Sequence, residues 1–153
     1  MADATLSGAT FENLTKHLRE IEIGKNKLFE RFFPEPTKER NEFKNFLDNY
    51  IMHIEQLIQD ARDSDIEDID IPFATIGSEI EVLDPSSNEV YKYRIVSPLD
   101  ASVAEGDVSY LSPVGKSLLL KKVGDEIEVN APGGVYSYKI KSIKNPTEAV
   151  SLL

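Results

Sequence analysis

The chain has 153 residues, a formal net charge of −10 and no cysteine, so disulfides and thiolate metal sites are excluded. The acidity argues against autonomous sequence-specific DNA binding, which needs clustered Lys and Arg on phosphates, and favours a basic protein surface as partner. No apolar run approaches the ~20 residues of a membrane span, and "MADATLSGATFENL" lacks the basic-then-apolar pattern of a secretory signal; a cytoplasmic protein with no membrane partner is expected.

From Phe11 the apolar positions run Phe11, Leu14, Leu18, Ile21, Leu28 and Phe32. Steps of three and four make this a heptad seam on a helix, with Lys25 in the one missing slot. Lys25 is expected to snorkel there beside Leu47 or Tyr50, so that Lys25→Leu would stabilise the helix pair by about 0.5–2 kcal/mol. Thr10 is placed to cap the helix, and Pro34 and Pro36 end it within "FFPEPT". Thr37 can cap a second helix, whose seam reads Phe43, Leu47, Tyr50, Ile54, Leu57 and Ala61. Together they predict an antiparallel hairpin with arms of roughly 35–40 Å, at 1.5 Å per residue. Two helices alone bury little, so the hairpin must lean on another element or protrude from it.

"RDSDIEDIDIP" follows, an acidic connector carrying Asp63, Asp65, Glu67, Asp68 and Asp70, without the spacing or glycine of a calcium loop. Beyond Pro72 the period changes to two. "ATIGSEIEVLD", "VYKYRIVSP", "GDVSYLSP", "DEIEVNAP" and "VYSYKIKSI" read as strands, with turns at residues 84–88 and at Pro132-Gly133-Gly134. Ser112 caps a short helix with Pro113 at its first position, expected to end near Val123-Gly124. The fold class is α+β: a helical hairpin at 1–62, an acidic linker at 63–72 and a strand-rich domain at 73–153.

The stretch "TIGSEIEVLD…YRIVSPLDASVAEGDVSYLSPVGKSLLLKKVGDEIEVNAPGG…YKIKSI" resembles the C-terminal, FKBP-like domain of bacterial Gre transcription factors. Ser112-Pro113, Gly115, Leu118-Leu119, Lys121 to Asp125 and Ala131 to Gly134 follow that family's pattern. "LTKHLREI" and "IMHIEQLIQDA" resemble the roots of its two coiled-coil arms. The resemblance implies a factor that docks its globular domain on the rim of RNA polymerase core enzyme and sends its coil into the secondary channel. There, acids at the coil tip help hold a metal ion at the polymerase's own active centre and provoke transcript cleavage.

Two segments depart from the family. The tip motif, approximately D-L-x-E-N-x-E-Y, is absent; set against "PTKERNEF", Glu39, Glu42 and Phe43 match, while Pro36 and Arg40 replace an aspartate and an asparagine. Another register brings Glu30 and Glu35 to the tip. Solvated helix-end charges are the favoured reading of all four glutamates. With its shortened arms the chain resembles in part the Rnk-type regulator, whose stubby coil does not reach the active centre. The docking segment at 97–103 keeps Pro98, Asp100 and Ala101, with Ser102 and Val103 replacing an aspartate and a proline. Pro98, Asp100, Ala101 and Ser102 are the docking candidates.

Other constellations carry less. His17 and His53 flank the seam, lack a third ligand for zinc, and are expected at the surface. Gly133-Gly134 is a turn, and Lys116, Lys121 and Lys122 form a small solvated patch. No catalytic residue, metal site or cofactor is expected. The resemblance implies a non-enzymatic, polymerase-binding regulator, and the departures at the tip together with the shortened arms lead to the expectation that it does not stimulate cleavage. A cleavage factor with a divergent tip, and a protein–protein adaptor that has lost polymerase binding, are the alternatives.

Overall fold

A computed structural model describes residues 7–64, 68–98 and 104–145. The elements in chain order are β1 (Ser7–Thr10), α1 (Phe11–Phe32), α2 (Lys38–Ser64), β2 (Asp68–Asp70), β3 (Glu79–Asp84), β4 (Glu89–Val96), β5 (Asp107–Ser109), α3 (Pro113–Leu118), β6 (Glu126–Ala131) and β7 (Gly134–Lys144).

The two heptad segments form the expected antiparallel hairpin. Its arms are 22 and 27 residues long, about 33 and 40 Å at 1.5 Å per residue. Thr37 caps α2 by accepting the Arg40 N–H at 3.2 Å. Leu14, Ile21, Leu28, Phe43, Leu47, Tyr50 and Ile54 fill the seam; the side chains of Phe11 and Ala61 fall outside the described residues. Two seam positions differ from the periodic reading. Phe29 is buried and Phe32 exposed, and Ile58 is more buried than Leu57. A straight helix drifts about 20° per heptad, so the buried stripe has rotated by one position at these ends.

Lys25 has a partner that periodicity alone does not give: its Nζ lies 3.4 Å from Asp48 Oδ1 on the other arm, and Lys44 holds the same carboxylate at 2.8 Å. Exposed pairs of this kind contribute little. Lys25→Leu is therefore expected to shift stability by less than about 1 kcal/mol, because the lost ion pair and the gained apolar area offset. A thermal melt of the variant checks this; a larger loss would make Lys25–Asp48 a principal clasp of the hairpin.

The acidic connector is not wholly irregular. Asp68–Asp70 pairs antiparallel with Ser7–Thr10 as a two-stranded ribbon at the open end of the hairpin; residues 65–67, including Asp65 and Glu67, lie outside the described residues. Among the described residues, the second half is a five-stranded sheet in the order β5-β4-β3-β7-β6. All its pairings are antiparallel except β4 with β5. Ile80, Val82, Ile95, Ile127, Val129, Ile140 and Ile143 fill its inner face.

The Ser112 cap and Pro113 start α3 as expected, but the helix ends at Leu118 rather than near Val123-Gly124. The chain leaves it because Leu120, at φ 69°, donates its N–H to Ala74 O at 2.8 Å, and Lys121 O accepts the Ala74 N–H at 2.8 Å. Long-range backbone pairing thus overrides the local helical pattern.

The hairpin leans on the strand domain along α2. Phe43 stacks on Tyr110, His53 meets the edge of Phe73, and the Tyr50 hydroxyl accepts the Ile76 N–H at 3.0 Å. One continuous core runs from the seam into the sheet.

Candidate functional site

Two regions were singled out by sequence, the hairpin turn and the loop after β4. The turn at residues 33–37 is short because two prolines follow α1 closely. Phe33 stacks on Phe43 at 4.9 Å between ring centroids, and Phe43 on Tyr110 at 6.3 Å with an interplanar angle of 6°. Phe29 meets Phe43 edge-on at 5.4 Å. The turn therefore sits two ring steps from the strand domain.

Arg40, which opposes the tip acids by sign, has a structural task. It donates from Nη1 to Phe33 O at 2.8 Å, at the C-terminal end of α1, and lies 4.9 Å over the Phe29 ring. Both contacts suit a guanidinium: the helix end offers unpaired carbonyls and the ring a negative face. Glu30, Glu35, Glu39 and Glu42 are all exposed around this turn. Among the described residues no group of three or more His, Asp or Glu is gathered as metal ligands would be.

The loop after β4 departs from a buried stem. Ser97 is buried and Pro98 half-buried, whereas Asp100, Ala101 and Ser102 lie outside the described residues. At the returning end Asp107 is the anchor. Its carboxylate accepts from Arg94 Nε at 3.0 Å and Nη2 at 2.8 Å, and from the Ala104 N–H at 2.8 Å. Gly106, at φ +88°, lets the chain pass so close to β4 that a Cβ would lie 3.0 Å from Lys92 O. Beside this return runs an open groove of about 710 Å³, lined among others by Tyr91, Tyr93, Arg94, Glu105 and Asp107.

The Arg94 hydrogen bonds, followed by that from Ala104, hold the Asp107 carboxyl below the usual range, outweighing its desolvation. A folded-state pKa below the unfolded value of about 3.9 means the contribution is complete above that pH and is lost as pH falls through the folded value. Asp107→Asn is thus expected to lower stability at neutral pH and to flatten the fall in melting temperature below about pH 4. Equal acid slopes for the two proteins would mean the pair does not hold the loop.

His17 is corrected from a surface residue to a core one. It is 5% exposed, and its Nε2 shares a hydrogen bond of 2.8 Å with the Tyr50 hydroxyl. Burial pushes the Tyr50 phenol far up. His53 is half-buried, with Nδ1 2.8 Å from Asn49 O of its own helix. Sequence reasoning also missed the Arg94–Asp107 pair. Its one signal was an arginine following Tyr91-Lys92-Tyr93 in the alternating part of the strand.

This architecture has known counterparts. Residues 72–145 match the family described as "Transcription elongation factor, GreA/GreB, C-term". A protein of Clostridium acetobutylicum named "Transcription elongation factor GreA" is 39% identical over 111 residues, covering 71% of this chain and 70% of its own length. Its namesake in Acetivibrio thermocellus is 36% identical over the same shares. The solved structure of a prokaryotic transcription elongation factor GreA/GreB from Nitrosomonas europaea superposes with a TM-score of 0.55 at 26% identity, over 85% of this chain and 95% of that one. With a family match at residues 72–145 and relatives 36–39% identical over 71% of its length, the chain belongs to the GreA/GreB family of bacterial transcription elongation factors.

Proposed function

We propose that this chain is a cytoplasmic, non-enzymatic regulator that binds core RNA polymerase at its secondary channel without stimulating transcript cleavage. Polymerase as partner is supported by the elongation-factor relatives; the segment at 97–103, which lies between buried Ser97 and the Asp107 anchor, is the docking element. The absence of cleavage stimulation rests on one observation, the Phe33–Phe43–Tyr110 stack that keeps the hairpin turn on the strand domain. An aromatic pair contributes about 0.5–1.5 kcal/mol beyond the area it buries, so advancing the hairpin away from the domain costs the Phe43–Tyr110 pair and its burial. Glu30, Glu35, Glu39 and Glu42 then stay outside the polymerase centre, where two-metal chemistry needs carboxylates within a few ångströms of the ion.

Capture of core polymerase by the immobilised chain, with and without a competing GreA, tests the binding. Retention that falls as GreA is added is expected; no retention would remove the proposal. Asp100→Lys should weaken retention by about five-fold or more while leaving the melting temperature unchanged, and unchanged affinity would take this loop out of the interface.

A further inference from the structure

Strand register sorts the side chains of the sheet by face. Ile80, Val82 and Asp84 lie opposite Tyr93, Tyr91 and Glu89, and Ile127 and Val129 lie opposite Tyr138 and Tyr136. The isoleucines and valines are buried, so all four tyrosines share the inner face. α3 packs against β4, β5 and β6 and covers only part of it. Toward the Asp84 end Tyr91 is 36% and Tyr136 43% exposed. Tyr91 meets Tyr138 edge-on at 6.0 Å, and Tyr138 hydrogen-bonds Tyr93, so these three tyrosines form one cluster. Tyr93, deeper in, has its phenol pushed up to about 12, by burial first and then by its hydrogen bond with Tyr138.

The charges are sorted too. Lys92, Arg94, Lys139 and Lys144 fall on the opposite face, in register with Glu81, Glu79, Glu126 and Glu79 respectively. Among the described strand residues at the tyrosine end, the charged groups on the inner face are Asp84 and Glu89. The Glu89 carboxylate is the leading cause that raises the Tyr91 phenol, which places its charge beside the ring. Exposed aromatic rings with an acidic rim attract guanidinium and ammonium groups twice, through the ring face and through the carboxylate. Tyrosine is also the residue type most often at the energetic centre of protein interfaces.

We propose that this end of the inner face docks a basic, extended segment of a protein partner, its Arg or Lys side chains lying over Tyr91, Tyr136 and Tyr138 and pairing with Asp84 and Glu89. The surface centres on the Asp84 end of the sheet, whereas the segment beginning at Ser97 leaves the other end of β4, and the inference holds whether or not the chain binds polymerase.

The probe is a blocked peptide of alternating arginine and glycine, titrated into the full-length isotope-labelled chain and followed by backbone amide shifts. Saturable binding is expected, with the shifts centred on β4 and β7 around Tyr91, Tyr136 and Tyr138. Glu89→Gln, which leaves the rings in place, should weaken it about three- to ten-fold. Glu128→Gln makes the same change of charge on the outer face and should leave affinity within about two-fold. Tyr136→Ser should weaken binding as Glu89→Gln does; if that variant loses its fold, the two glutamine variants still decide. No saturation, shifts centred elsewhere, or equal weakening by Glu128→Gln would overturn the proposal, the last by reducing it to attraction by net charge.

Discussion

Gly115→Ala is expected to disrupt the strand domain, at a cost of at least about 3 kcal/mol. Gly115 is buried in α3, directly over the end of β5. A Cβ there would sit 2.0 Å from Ser109 O, 2.7 Å from Ser109 C and 3.1 Å from Tyr110 Cα. These are backbone atoms, so no rotamer change relieves the clash. Nor can the helix withdraw easily. Ser112 ties it to the same carbonyl, donating its N–H at 2.9 Å and its hydroxyl at 2.6 Å to Ser109 O while accepting the Gly115 N–H at 3.1 Å. Gly124 is the control. It has open space around the missing Cβ and only a φ of +92° to satisfy, so Gly124→Ala should cost about 1–2 kcal/mol from backbone strain. Denaturant midpoints of the two variants measure the difference. A Gly115→Ala protein as stable as Gly124→Ala would mean that α3 stands further from β5 than described.

Tyr50→Phe is the second large effect, expected to cost about 2–4 kcal/mol although it removes a single oxygen. That oxygen joins three parts of the molecule: α2, which carries it; α1, through His17; and the start of the strand domain, through the Ile76 N–H. Tyr50 and Ile76 are fully enclosed and His17 nearly so. Phenylalanine leaves the Ile76 N–H and the His17 ring nitrogen without this partner and without water. Leaving a buried donor unmade costs more than the bond itself contributes. Urea unfolding reads the loss, and a double-mutant cycle with His17→Leu should return a coupling of about 0.5–3 kcal/mol. A neutral Tyr50→Phe would argue that the hydroxyl does not bridge hairpin and domain.

Both effects fall on residues whose importance the sequence showed only in outline. Tyr50 was legible as a seam residue, because Phe43, Leu47, Tyr50 and Ile54 repeat at heptad spacing; its hydroxyl partners lie 33 and 26 positions away, and no local pattern carries that. His17 was misplaced for the same reason, since a polar residue beside a seam reads as a flank until a buried acceptor is found for it. Gly115 stood within a recognisable family cassette, but only the approach of α3 to Ser109 says why a side chain is forbidden. The strands were readable from alternation, and the caps at Thr37 and Ser112 from local hydrogen-bond chemistry. The length of α3 was not, because Ala74 pairs with Leu120 and Lys121 across the fold.

The candidate site was less legible than the fold. The four glutamates near the turn could be named but not placed, since the sequence could not say whether the hairpin leans or protrudes. The answer lies in Phe43 and Tyr110, which sit far apart in the chain and stack in space. Arg40, counted as a charge against the tip acids, turned out to cap α1.

The proposed function makes this family member a polymerase binder that does not provoke cleavage. The direct test is a gel of end-labelled RNA from backtracked elongation complexes incubated with the chain, with GreA, and with both. No short 3′ fragments are expected from the chain alone, and fewer from GreA when the chain is present. Glu35→Ala and Glu39→Ala should leave that competition unchanged, because single exposed charges contribute little away from an interface centre. Short fragments that appear with the wild-type chain and vanish with Glu39→Ala would contradict the proposed function, and would make the hairpin turn an active tip.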